Sequence, residues 1–140
     1  MADTNVHTAR GLRWGRALLA ALLAEVVLVA IAAPIYAGMG AASTHTLNIV
    51  IPLASFVAFL LAGYWAALPV PGRGVMQGAL TGVWAVVLYI GLGLVASLFV
   101  RGTSVVDGFT TPYLIAHALK VIGGAIGGWL VARKAERPFA

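Results

Sequence analysis

Four stretches of this chain are apolar over twenty residues or more, and they limit what it can fold into more than any other feature. An α-helix rises 1.5 Å per residue, so about 20 such residues cross the ~30 Å hydrocarbon core of a bilayer. The stretches lie near Ala17–Gly38, Leu47–Leu68, Val75–Val100 and Pro112–Ala132. Within lipid each backbone N–H and C=O needs an internal partner, which a helix supplies. The expected fold is therefore an all-α integral membrane protein of four transmembrane helices, a single domain over residues 1–140. Charged residues are only 9% of the chain, against roughly 25% in soluble domains, so a water-facing surface cannot be built from it. Besides the spans there are only two tails and three loops, too little for a soluble domain.

Two ionisable residues, Glu25 and Lys120, fall inside the first and fourth stretches. A charge at bilayer depth costs about 2.5–3.5 kcal/mol on insertion scales, so it is kept for a partner, a cavity or a function. The helical rise places Glu25 about 12 Å and Lys120 about 18 Å from the same membrane surface. Two long side chains bridge that offset, so the expected arrangement is an ion pair within the bundle or a protonated, hydrogen-bonded Glu25. Side chains lean toward their own helix N-terminus, however, and on antiparallel helices these two lean apart. A proton, ion or substrate site and a salt bridge to a neighbouring subunit are the alternatives.

His117 lies one turn from Lys120 on the same face. Its expected role is that of a hydrogen-bonded packing histidine; ligation of a haem or chlorophyll metal is the alternative. Cysteine is absent, which removes disulfides and thiolate chemistry. The chain has no paired carboxylates, no nucleophile with a base nearby, no HExxH and no phosphate-cradling loop, and Asp3, Asp107 and Glu136 stand isolated outside the spans. Neither an enzyme activity nor a cofactor nor a metal is expected.

The net charge of +5 does not point to nucleic acid. Arg10, Arg13, Arg16, Arg73, Arg133, Lys134 and Arg137, seven of the nine basic residues, fall on one side of a four-pass topology, and Arg101 on the other. Positive residues near span ends stay in the cytoplasm, which is where both termini and the Arg73 turn are expected to lie. Trp14, Tyr64, Trp65 and Trp129 fall at that boundary and Tyr36 and Tyr113 at the outer one, as an aromatic belt requires. Trp84 and Tyr89 lie deeper, as packing or lipid-facing residues, with Tyr89 within reach of a neighbouring helix. The basic segment before the first span imitates a secretory signal, but Glu25 interrupts the apolar run and the run exceeds an ordinary signal core, so it reads as a retained span.

Small residues recur one helical turn apart. Ala54, Ala58, Ala62 and Ala66 stripe the second span; Gly78 and Gly82 pair in the third; Gly123 with Gly127 and Gly124 with Gly128 pair in the fourth; and the first offers Ala17 with Ala21 and Ala20 with Ala24. Such spacing lets helix backbones approach closely, within the bundle or against another subunit. Pro34 predicts a kink near the outer end of the first span, Pro52 sits in the first turns of the second, and Pro112 starts the fourth. Ser43–Thr46, which includes His45, and Arg101–Thr111 read as outer loops. The hairpins of spans one–two and three–four share weak similarity, consistent with a parallel repeat.

The run Phe59-Leu60-Leu61-Ala62-Gly63-Tyr64-Trp65-Ala66-Ala67, a short basic turn, and Gly74-Val75-Met76-Gln77-Gly78-Ala79-Leu80-Thr81-Gly82 resemble uncharacterised small bacterial four-span membrane proteins. That resemblance covers about a third of the chain, implies fold and location, and brings no catalytic residue. A more local resemblance, of Leu23-Ala24-Glu25-Val26 and Ala54-Ser55-Phe56, is to small multidrug resistance transporters, and implies proton and cation binding at Glu25. The third span around Trp84, the longer Pro-rich turn and Lys120 depart from that family's pattern. Two functions from different classes follow: a structural or accessory subunit packed among other membrane subunits, such as those of an energy-converting complex, or a small homo-oligomeric proton-coupled transporter or channel using Glu25.

The topology is testable with introduced cysteines. Cysteines at Ser43 and Ser104 are expected to react with impermeant reagents from outside, and one at Arg73 is not. Reaction at Arg73 in intact cells would reverse the assignment.

Overall fold

The computed structural model describes residues 11–99 and 110–136. Four helices account for most of them: α1 Trp14–Met39, α2 Ser43–Ala67, α3 Gly74–Phe99 and α4 Thr111–Ala135. Each is long and apolar enough to cross a membrane, and no strand occurs among the described residues. The chain is an all-α, four-helix, multi-pass membrane protein. Arg13, Arg16, Arg73, Arg133 and Lys134 gather at what we call the basic end; the α1–α2 turn marks the far end. The loop before Thr110, with Arg101 and Asp107, the ends carrying Arg10 and Arg137, and Val100 lie outside the described residues.

The helices outrun the apolar stretches, because polar residues at the interface continue a helix that hydropathy alone would end. α1 begins three residues earlier than expected and α4 ends three residues later. The largest difference is at the far end. Ser43–Thr46 is the first turn of α2 and not a loop, Ser43 is buried, and His45 is an exposed helical residue. His45, not Ser43, is thus the far-end position open to a labelling reagent. Only the 3₁₀ turn Gly40–Ala42 joins α1 to α2, and it requires Gly40, the one described residue at positive φ (55°). The longer α2 also moves Pro52 from the first turns to the helix interior, where it leaves the carbonyl of Asn48 without its i+4 donor. At the other end Pro71 starts a 3₁₀ turn into α3, and Pro112 stands in the first turn of α4, whose Leu114 N–H bonds the Thr110 carbonyl at 3.0 Å.

α4 is the most buried helix, wedged between α2 and α3. Its glycines face two ways. A Cβ on Gly123 or Gly127 would meet the Phe56 and Leu60 carbonyls of α2; one on Gly124 or Gly128 would meet the Gly78 and Gly74 carbonyls of α3. From the other side, Gly63, Gly74, Gly78 and Gly82 press against the backbone of α4. The register rises together for α2 and α4, which run parallel, and falls for α3 against α4, which run antiparallel. In lipid, helices gain little from hiding apolar surface from one another, so such backbone contact and its dispersion energy hold the bundle. The glycine pairs expected from the sequence are consumed inside the protein, whereas Ala20, Ala24, Ala58 and Ala62 of the alanine stripes line a groove between α1 and α2.

α1 lies on the opposite side, against α2 and α3. Ala21, Ala24 and Leu28 pack with Phe59 and Ala85, with Ala54, Ala58, Ala62, Trp84 and Leu88 beside them. At the basic end α1 is latched twice. The fully buried Gln77 of α3 accepts from the Arg13 N–H and donates to the Arg13 carbonyl, both at 2.9 Å. This satisfies a donor that a helix start otherwise leaves free. Arg16 donates to the Trp65 carbonyl at the end of α2 (2.8 Å) with its guanidinium 3.9 Å from the centroid of the Trp65 ring. Trp84 meets Trp14 edge to face, 6.4 Å between centroids. The two hairpins run in the same sense but pack unequally, since α4 alone is enclosed by its neighbours. Large aliphatic residues such as Val26, Leu53, Leu61, Leu92 and Leu98 face outward, as suits lipid.

Gly124→Leu and Gly128→Leu are each expected to destabilise the bundle by about 2 kcal/mol or more, because backbone and not a flexible side chain blocks the new atoms. Gly91→Leu, with open space around it, serves as the control. Equal thermal stability of all three variants in detergent would show that the α3–α4 contact is not close.

Candidate functional site

The ionisable pair singled out in the sequence meets in the structure. Lys120 Nζ donates to Glu25 Oε1 at 2.6 Å. Counted from the helix ends as found, Glu25 lies about 16 Å from the start of α1 and Lys120 about 22 Å from the end of α4. Both are deeper than the apolar stretches suggested, and their offset is unchanged. The lean of the two side chains in opposite directions does not keep them apart, because the four-carbon stem of lysine reaches back across the gap. Lys120 is nearly buried (side chain 8% exposed), with Nζ 5.6 Å from the centroid of the Phe59 ring, whereas the Glu25 side chain keeps 30% exposure. A pair in low dielectric needs good geometry to offset its desolvation, and this one combines a short charge-assisted bond with an aromatic face.

Glu25 is open because it borders a groove. A cavity of about 310 Å³ lies between α1, α2 and α4, with Glu25 and Lys120 at its inner end. Leu28, Val29, Ile51 and Ala116 form apolar walls, and Asn48 and Tyr113 add polar atoms toward the far end. α1 and α4 barely touch otherwise, so the ion pair is the principal bridge between them. A second groove between α1 and α2, lined by Ala20, Ala24, Ala58 and Trp65 among others, is almost wholly apolar.

His117 is buried at 6% exposure and packs in a cluster of rings, 4.9 Å from Tyr89 and 5.1 Å from Tyr113, which are 4.6 Å apart. Tyr89 thus joins α3 to α4, as its depth suggested. Neither nitrogen of His117 finds a hydrogen-bond partner, so the expected hydrogen-bonded histidine is instead held by ring contacts alone. Among the described residues no three His, Asp or Glu side chains gather as a metal site would require. The helix-packing residues Gly78, Gly82, Gly123, Gly124, Gly127 and Gly128 meet neighbouring backbone and shape the site indirectly: Gly82 rests on the backbone of Lys120 and Val121.

Three participants were not singled out from the sequence. Gln77 and Thr81, whose hydroxyl donates to the Gln77 carbonyl at 3.2 Å, are fully buried polar residues one turn apart in an apolar span. That cost in lipid was itself a signal for a helix-to-helix bond. Asn48 lines the groove in the turn before Pro52.

The whole is a membrane four-helix bundle with one neutralised charge pair at the inner end of a half-open groove. No protein family, curated protein or solved structure matches the chain.

Removing one partner of the pair leaves a charge stranded in low dielectric. Lys120→Met alone is expected to cost about 3 kcal/mol of stability. Adding Glu25→Met to it should recover most of that loss. A double variant no more stable than Lys120→Met would show that the two residues do not interact.

Proposed function

We propose that this chain is a non-catalytic protein of the bacterial cytoplasmic membrane, with both termini in the cytoplasm, acting as a structural or accessory subunit within a larger membrane assembly. The observation that carries this reading is the direct Glu25–Lys120 bond: the acid and the base in the spans neutralise each other. A bonded pair fixes helices in register, as a structural subunit requires. The basic end, with Arg13, Arg16, Arg73, Arg133 and Lys134, matches a cytoplasmic face against anionic headgroups. The aliphatic outer faces of α1 and α3, the least enclosed parts of the bundle, can meet lipid or a partner's helices.

The second reading, a small homo-oligomeric proton-coupled transporter, is favoured by one observation, the exposure of the Glu25 carboxylate to the groove. A carboxylate that opens on a groove instead of being sealed in the bundle is a candidate proton carrier.

The two readings separate in one pair of measurements. An accessory subunit, purified from its native membrane in mild detergent, should bring down a fixed set of other membrane proteins in constant ratio. It should also produce no pH-driven flux in proteoliposomes. Recovery as a lone homo-oligomer, with a proton-coupled flux that Glu25→Gln abolishes while assembly stays intact, would replace the first reading by the second.

A further inference from the structure

The groove between α1, α2 and α4 has features that a structural role does not use. Its volume of about 310 Å³ is at the small end of ligand pockets, which run from about 300 to 1,000 Å³. Its walls are mostly apolar, with the charge pair at the inner end and the polar atoms of Asn48 and Tyr113 nearer the mouth, a composition that suits a small-molecule site. From Pro112 to Lys120 the helical rise gives a depth of about 12 Å. α1 and α4 do not close over it by packing on each other, so the approach lies along their seam, within the apolar layer.

The charge pair selects the kind of ligand. A cation binding Glu25 would have to displace Lys120 and leave it buried without its partner; an anion binding Lys120 would strand Glu25. Either exchange carries the penalty of an unpaired charge in low dielectric. An uncharged head avoids it. The ammonium of Lys120 has three N–H donors and gives one to Glu25 Oε1, so it can still donate to a carbonyl oxygen. The Glu25 carboxylate has further lone pairs, and its exposed part can accept from a hydroxyl. Tyr113, whose ring is braced against Tyr89 and His117, supplies an aromatic wall nearer the mouth. A flat ring bearing carbonyl or hydroxyl oxygens, carried on an apolar tail that stays in the bilayer, meets each of these demands.

We propose that the groove is a binding site for a membrane-soluble quinone or its quinol, with the ring oxygens at the intact Glu25–Lys120 pair and the tail leaving between α1 and α4. The quinone oxygen accepts from Lys120, and the quinol hydroxyl donates to Glu25, so both forms have a partner. Ala32 lines the groove, whereas the adjacent Ala33 is exposed on the outside of the same helix. Phenylalanine at position 32 fills the site, and at position 33 it only adds surface.

The test is equilibrium binding of decylubiquinone to the full-length protein in nanodiscs. Decanol, decanoate and decyltrimethylammonium, each with the same ten-carbon chain, test the neutral-alcohol, anionic and cationic heads. Saturable binding of the quinone above the other three is expected, with at least tenfold weakening in Ala32→Phe and none in Ala33→Phe. Circular dichroism and thermal melting check that both variants fold; if Ala32→Phe does not, Tyr113→Leu takes its place, with at least threefold weakening expected. Absence of saturable quinone binding would overturn the proposal. So would tighter binding of any of the three comparison compounds, or equal affinity in the wild type and the folded groove variant.

Discussion

Backbone contact along α4 is what the rest of the molecule depends on. Adjacent residues on a helix point about 100° apart, as 3.6 residues per turn dictates, so Gly123 and Gly127 define one face while Gly124 and Gly128 define another. With no side chain on either face, α4 enters between α2 and α3 as a wedge and meets the carbonyls of both. Lys120 lies one turn toward the far end from Gly124, its own backbone against Gly82. The depth and direction of the lysine are therefore set by glycines that never touch its ammonium group.

α1 is bound by different means. Having no such glycine contacts, it is fixed at three polar points: Arg13 with Gln77, Arg16 with the Trp65 carbonyl, and Glu25 with Lys120. Two of these lie at the basic end and one in the bundle interior, with a small alanine-rich core between and around them. The ion pair joins the two helices that pack least on one another, and that separation leaves the groove. Register, charge neutrality and an accessible cavity are thus consequences of one arrangement. In an apolar solvent these hydrogen bonds are costly to leave unmade, which makes them effective in specifying a single packing.

Much of this was legible in the sequence. Four apolar runs gave four helices, the small-residue stripes marked the close contacts, and two opposite charges at similar depth indicated the pair. Other features were hidden for physical reasons. Hydropathy falls at the interface while the helix goes on, so Ser43 and His45 looked like loop and Pro52 looked terminal. Spacing alone could not say that neighbouring glycines serve two different helices, or that both contacts are internal. Gln77 is one polar residue in an apolar run, and only the position of Arg13 in space shows what it binds. The tendency of side chains to lean along their helix argued against the ion pair; lysine's length outweighs it. The groove depends on which helices fail to touch, a property of the assembled bundle that no single span carries.

An acid on α1 and a base on α4 are bonded within the spans. Magic-angle-spinning NMR of the protein in lipid bilayers, with labelled lysine and glutamate, tests that bond directly. A strong through-space cross-peak between Lys120 Nζ and the Glu25 carboxyl carbon is expected from the 2.6 Å contact, with the chemical shift of an ionised carboxylate if the pair is ionic. The peak is expected to vanish in Glu25→Gln. No cross-peak, or a Glu25 carboxyl carbon at the shift of a protonated acid, would contradict the ion pair.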